Sequence, residues 1–127
     1  MGIEMDNRVL IVDDSLFMRY KLKNLVESLG GVVVGEAADG IEAIEKFQEL
    51  QPDLTFLDIT MPRMNGICAL KEIKARNSQA KVIMVTAMSQ GSFVKDALDS
   101  GATDYVCKPF KESSIKEVLE KSFKRAL

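Results

Sequence analysis

Four short apolar runs, each ending in a polar or charged side chain, constrain this chain more than any other feature. They are Val9-Leu10-Ile11-Val12-Asp13-Asp14, Leu54-Thr55-Phe56-Leu57-Asp58, Val82-Ile83-Met84-Val85-Thr86-Ala87 and Tyr105-Val106-Cys107-Lys108-Pro109. Runs rich in branched residues suit strands buried on both faces of a parallel sheet. In open α/β sheets, ligands bind at the carboxyl ends of the strands. The pattern therefore predicts that Asp13, Asp14, Asp58, Thr86 and Lys108 meet at one end of one sheet. Such a gathering is a site.

Helical patterns fill the intervals. The first follows Ser15, with Leu16, Phe17, Leu22, Leu25, Val26 and Leu29 as its apolar residues, and stops at Gly30-Gly31. A further strand, Val32-Val33-Val34-Gly35-Glu36-Ala37, contains a glycine and a charge, which suit a sheet edge. Asp39, with Glu42 three residues on, gives a capping-box-like helix start. The buried stripe of that helix is Ala43, Ile44, Phe47 and Leu50, and Pro52 closes it. The loop Met61-Pro62-Arg63-Met64-Asn65-Gly66 leads into a third helix with Ile67, Leu70 and Ile73 inward. A fourth is expected from about Ser89 to Ser100, with Phe93, Val94, Ala97 and Leu98 inward and Gly101 as its stop. The last carries Ile115, Val118, Leu119 and Phe123 on one stripe. Five βα units in strict alternation predict an α/β fold, a parallel sheet with helices on both faces. One domain over residues 1–127 is expected, with 1–7 as a flexible N-terminus.

Composition narrows the function. A net charge of −2 and a pI near 5.2 give no broad basic footprint for nucleic acid. No apolar run approaches the roughly 18 residues that a membrane-spanning helix needs. Met1-Gly2-Ile3-Glu4-Met5-Asp6-Asn7 is short and acidic, unlike a signal peptide, so a cytoplasmic location is expected. Cys68 and Cys107 form no metal-binding spacing and read as free, largely buried thiols. The chain has no histidine, which removes the commonest general base and zinc ligand. A monomer is expected, for want of an evident apolar patch.

Adjacent Asp13 and Asp14, with Asp58 facing them, make a cluster of hard oxygen ligands. Two carboxylates about 4 Å apart repel by roughly 4 kcal/mol at an effective dielectric near 20. Such a cluster calls for a cation, and carboxylates without His or thiolate suit Mg²⁺, with Mn²⁺ as a second choice. Mg²⁺ also accepts phosphate oxygens, so a phosphorylated ligand is implied. Lys108 can neutralise one phosphoryl oxygen and the Thr86 hydroxyl can donate to another. A carboxylate can itself be the nucleophile, forming an acyl phosphate, and Asp58, ending the central strand, is the best placed. Taken singly, an Asp after a strand is usually a helix cap and a Lys-Pro is a turn. Jointly, at the ends of four strands, these residues are a functional set.

The chain resembles the receiver domains of two-component response regulators, from about Arg8 to Phe123. Asp58-Ile59-Thr60-Met61-Pro62-Arg63-Met64-Asn65-Gly66 is similar to the family's acceptor loop, and Lys108-Pro109-Phe110 to the end of its fifth strand. The resemblance implies a flavodoxin-like (βα)5 fold with strand order 2-1-3-4-5. It implies Asp58 as phosphoacceptor, Thr86 as switch hydroxyl, Tyr105 as switch aromatic and Lys108 as phosphate-binding lysine. Asp14, Asp58 and the Thr60 backbone carbonyl would hold the metal, with Asp13 acting largely through water. A cis Lys108-Pro109 bond would help to aim Lys108 inward. The implied partners are a sensor histidine kinase and a downstream protein. The latter would bind the face made by the fourth helix, fifth strand and fifth helix, where Lys95, Asp96, Lys111 and Lys116 are expected.

A receiver that fills the chain leaves no room for an attached effector, so output through a separate protein is expected. The simplest such target is a flagellar motor switch component in chemotaxis. Alternatives within the family are a phosphorelay intermediate or a receiver excised from a larger regulator. Dephosphorylation would be the receiver's own slow reaction. Thr60 and Met88, where family members tune hydrolysis, offer no carboxylate or amide to orient water. A haloacid-dehalogenase-type phosphatase would want an Asp at the position of Thr60. An FMN carrier would want a glycine- and hydroxyl-rich loop where Asp13-Asp14 stands.

Overall fold

The computed structural model describes residues 7–87 and 91–123. Its elements alternate strictly: β1 (Arg8–Val12), α1 (Leu16–Ser28), β2 (Val32–Ala37), α2 (Gly40–Leu50), β3 (Leu54–Asp58), α3 (Gly66–Arg76), β4 (Val82–Ala87), α4 (Gly91–Asp99), β5 (Asp104–Lys108) and α5 (Glu112–Ser122). The strands form one parallel sheet in the order β2-β1-β3-β4-β5. This is the flavodoxin-like order implied above, with β2 at an edge as its glycine and charge suggested.

Alternate strand residues feed two cores. Leu10, Val12, Leu57, Val82 and Met84 pack with Ala43, Phe47, Leu70 and Ile73 of α2 and α3. Val9, Ile11, Leu54, Phe56, Ile83 and Val85 pack on the other face with Leu22, Val26, Ile115, Val118 and Leu119 of α1 and α5. Covered on both faces, β3 is buried along its whole length. Its Thr55 hydroxyl is buried with no hydrogen-bond partner, a polar atom set in an otherwise apolar layer.

The helix starts are specified locally. The Met18 amide donates to Ser15 Oγ at 3.2 Å, capping α1. The Glu42 amide donates to Asp39 Oδ1 at 2.9 Å, capping α2, and Glu42 reaches back to accept from the Ala38 amide at 2.6 Å. The Glu therefore secures the residue before the cap, a variant of the expected capping box. Asn65 caps α3 through the Cys68 amide at 3.0 Å. For α4, the expected start at Ser89 lies outside the described residues, as do residues 1–6 of the expected flexible N-terminus.

Several apolar residues are on the surface, Phe93 and Leu98 of those expected inside among them. Leu16 and Phe17, in the first turn of α1, are 70% and 68% exposed. On α4 only Ala97 is buried, while Phe93 and Leu98 are 45% and 44% exposed. Both cysteines are exposed too, contrary to the expected burial. Cys68 lies in the first turn of α3 beside buried Ile67 and Ala69, turned away from them. Cys107 shares a strand face with Tyr105, and α4 leaves both uncovered. Exposed Leu16, Phe17 and Tyr20 on α1, and Phe93, Leu98 and Tyr105 near β5, also remove the premise on which a monomer was expected.

Candidate functional site

Parallel strands all point their carboxyl ends the same way, so the residues that end them converge. Asp13 follows β1, Asp58 ends β3, Thr86 lies near the end of β4 and Lys108 ends β5. Asp13, Asp58 and Thr86 are buried, and Asp14 is exposed at the rim. One carboxylate oxygen from each of Asp13, Asp14 and Asp58 lies within 4.8 Å of the others. Lys108 Nζ reaches into this group, 2.9 Å from Asp13 Oδ2 and 3.5 Å from Asp58 Oδ2. The Lys108-Pro109 peptide bond is cis.

Three carboxylates and one ammonium leave excess negative charge, which bears on the protonation of Asp58. Burial, with the nearby charges of Asp13 and Asp14, raises its pKa from 3.8 to about 6, against the opposing pull of Lys108. Burial also works against the charge on Lys108. Its hydrogen bond to Asp13 and the fields of both aspartates outweigh that, and its pKa is raised. A donor set of hard oxygens, crowded and short of positive charge, fits a divalent cation of the Mg²⁺ type. The same set suits no soft metal, since it holds neither imidazole nor thiolate.

The loop after Asp58 is held closely. The Gly66 amide donates to the Ile59 carbonyl at 2.7 Å, folding the loop back onto the strand end. A Cβ at Gly66 would lie 2.0 Å from the Asp58 carbonyl oxygen, so the close approach requires glycine. Arg63 takes a positive φ of 65° and its guanidinium pairs with Asp39 at 2.8 Å. The Gly40 amide donates to the Met64 carbonyl at 3.1 Å, which fastens the same loop to the start of α2. Thr60, in this loop, is exposed beside the acidic cluster.

Thr86 donates from Oγ1 to the Ala87 carbonyl at 3.0 Å. Beyond it, Thr86, Ala87, Gly91, Val94, Tyr105 and Cys107 line an open recess of about 250 Å³. Tyr105 is 42% exposed at the rim of that recess. Lys95, Asp96, Lys111 and Lys116 are all exposed, with Lys95 paired to Asp99 at 2.9 Å. Met88 lies outside the described residues.

Sequence reasoning missed Arg19. Its Nη1 donates to the Asp13 carbonyl at 2.7 Å and its Nε to Glu36 Oε1 at 2.9 Å. A signal was present: Arg19 stands three residues before Leu22 and seven before Val26, a charge within the apolar stripe of α1.

A doubly wound sheet with a carboxylate cluster and a lysine at its carboxyl end defines a signalling domain of the receiver type. The family model described as the response regulator receiver domain matches residues 9–120, and the chain belongs to that family. It is 50% identical over 117 residues to the chemotaxis protein CheY of Thermotoga maritima, covering 92% of this chain and 98% of that one. It is 48% identical over 118 residues to CheY of Bacillus subtilis, covering 93% and 98%. Among solved structures it is similar to the CheX–CheY–BeF3–Mg complex of Borrelia burgdorferi, with a TM-score of 0.87 and 37% identity over 93% of this chain and 90% of that one. Receivers are signalling proteins that accept a phosphoryl group on aspartate, not classical enzymes. No helix among the described residues is long and apolar enough to cross a membrane.

Proposed function

We propose that Asp58 accepts the phosphoryl group, from a phosphohistidine of a sensor kinase or from a small acyl phosphate, and that the phosphorylated chain signals by binding another protein. The observation that carries this reading is the Asp58 carboxylate itself. It is buried at the end of the central strand with Lys108 Nζ 3.5 Å away, and Asp13 and Asp14 stand beside it. An Asp58 oxygen forms the new O–P bond as the donor's N–P bond breaks. The imidazole leaves with that electron pair and takes a proton from water; from an acyl phosphate, the P–O bond to the acyl group breaks instead and the carboxylate leaves with the pair. Lys108 then pairs with one phosphoryl oxygen and the Thr86 hydroxyl donates to another.

Asp14, Asp58 and the Thr60 backbone carbonyl would hold Mg²⁺, with Asp13 acting through water; Mn²⁺ suits the same donors. Bound there, the ion would supply positive charge to offset that of the transferring group. Neither Thr60 nor Met88 offers a carboxylate or amide to orient water, so autodephosphorylation is slow.

Drawing the Thr86 hydroxyl toward the phosphoryl group opens room for Tyr105 to turn into the recess between β4, β5 and α4. This is a population shift, limited by how differently the two states bind the phosphoryl group. The α4–β5–α5 face, with Lys95, Asp96, Lys111 and Lys116, then binds the target more tightly. The match to nearly the full length of two chemotaxis proteins supports a single receiver domain over residues 1–127 acting in the cytoplasm on a separate protein. A flagellar motor switch component is the simplest target. A second reading is a receiver of a larger regulator or a phosphorelay intermediate. It draws on the 44% identity to a Thermotoga maritima protein-glutamate methylesterase, where the match spans only 36% of that protein.

Incubation with acetyl phosphate and Mg²⁺, followed by intact mass, tests the reading. The protein should gain one phosphoryl group, and Asp58→Asn none. Undiminished uptake in Asp58→Asn would overturn the assignment.

A further inference from the structure

We infer that Arg19 is a positioning residue for the acidic pocket: it fixes the Asp13–Asp14 peptide and thereby the affinity for the divalent cation. The inference rests on the metal reading above.

All four polar groups of Asp13 are engaged. Its amide donates to the Ala37 carbonyl at 3.0 Å, and its Oδ1 accepts from the Ser15 amide at 2.9 Å. Its Oδ2 pairs with Lys108 at 2.9 Å, and its carbonyl accepts from Arg19 Nη1 at 2.7 Å. The first three contacts fix the strand end and the Asp13 side chain. The Ser15 contact also closes a turn around Asp14, and the fourth contact holds the plane of the peptide that leads into Asp14. Asp14 is exposed, so the orientation of its backbone governs where its carboxylate stands.

Arg19 is itself fixed. Its side chain is 15% exposed, and its Nε is paired with Glu36 Oε1 at 2.9 Å on β2. Glu36 stands beside Ile11 in the β1–β2 register, just before the strand end, so α1 and β2 grip the loop from both sides. A planar guanidinium donating through two nitrogens loses less freedom per bond than a lysine ammonium would. Arg19 therefore sets the arrangement of the acidic loop before any cation arrives. Outer-shell partners of this kind typically alter metal affinity by about 10-fold or more.

The test is calorimetric titration of Mg²⁺ into the metal-free wild type, Arg19→Ala, Arg19→Lys, Glu36→Gln and Arg8→Ala, with thermal melting of each. Arg8 is the stability control. It donates to the Leu50 and Gln51 carbonyls at the other end of the sheet, away from the pocket. Arg19→Ala should weaken Mg²⁺ binding by about 10-fold. Arg19→Lys should restore part of the loss, and Glu36→Gln should show a smaller loss of the same sign. Arg8→Ala should melt lower with unchanged Mg²⁺ affinity. If Arg19→Ala and Glu36→Gln melt lower but bind Mg²⁺ like the wild type, Arg19 is merely structural and the inference is overturned. If Arg19→Ala does not fold, Glu36→Gln alone decides in the same way. Wild type that binds no Mg²⁺ would overturn the metal reading itself, and this inference with it.

Discussion

β3 and β5 stand two places apart in one sheet, yet they are built on opposite terms. Every residue of β3 is buried, whereas only Val106 of β5 is, and Tyr105 and Cys107 face solvent. β3 carries Asp58, followed by a loop tied back by Gly66 and fastened to α2 through Gly40 and Arg63. β5 carries Tyr105 on the rim of an open recess, next to a helix that buries only Ala97. Tight packing on both faces leaves a strand one arrangement, and sparse packing leaves room for a second. The proposed phosphoacceptor therefore sits on the closely packed part of the sheet, and the proposed responding residue on the sparsely packed part.

The largest expected difference between the two regions is steric. Gly66→Ala would bring a methyl group against the Asp58 carbonyl, at a cost of about 3 kcal/mol of stability in urea denaturation. A loss well under that would mean that the acceptor loop is free to shift, and the contrast with β5 would weaken.

The next effect is a pH dependence located on β3. In the metal-free protein Asp58 titrates near 6 when folded, raised by burial and by its acidic neighbours. Between about pH 4 and pH 6 the folded state therefore holds a proton that the unfolded state has released, and stability falls as pH rises through that window. Asp58→Asn should remove this fall, and saturating Mg²⁺ should reduce it by favouring the ionised carboxylate. Melting temperatures across the window measure it. A metal-free wild type whose stability changes from pH 4 to pH 6 in the same way as that of Asp58→Asn would contradict the account of crowded charge.

The smallest effect belongs to the looser side. A Cβ at Gly91 meets nothing within 4 Å, so Gly91→Ala should change stability by no more than about 0.5 kcal/mol. A loss approaching that of Gly66→Ala would show that the start of α4 is packed as closely as the acceptor loop.

The contrast was only half legible in the sequence. Apolar runs ending in Asp13, Asp58, Thr86 and Lys108 marked the strand ends, because burial on both faces leaves no polar alternation to confuse them. Ser15, Asp39 and Pro52 marked helix limits for equally local reasons. The strand order came from the resemblance, since periodicity does not say which strands are neighbours. Exposure of Phe93, Leu98 and Cys107 was not legible, because an apolar pattern shows which residues could be covered and not whether a neighbouring helix reaches them. Arg19 left only a partial signal, a charge within the apolar stripe of α1. A charge on a helix usually faces water, and only the fold brings it to the Asp13 carbonyl.

Amide NMR of the wild type before and after beryllofluoride and Mg²⁺ addition tests most directly whether a fixed acceptor is read by a responsive fifth strand. The account predicts shifts around Asp13, Asp14 and Asp58 that extend from Thr86 through β5 to Lys116, with the buried residues Leu54 to Phe56 little changed and the distant part lost in Thr86→Ala. Shifts confined to the Asp13–Asp58 pocket would contradict it.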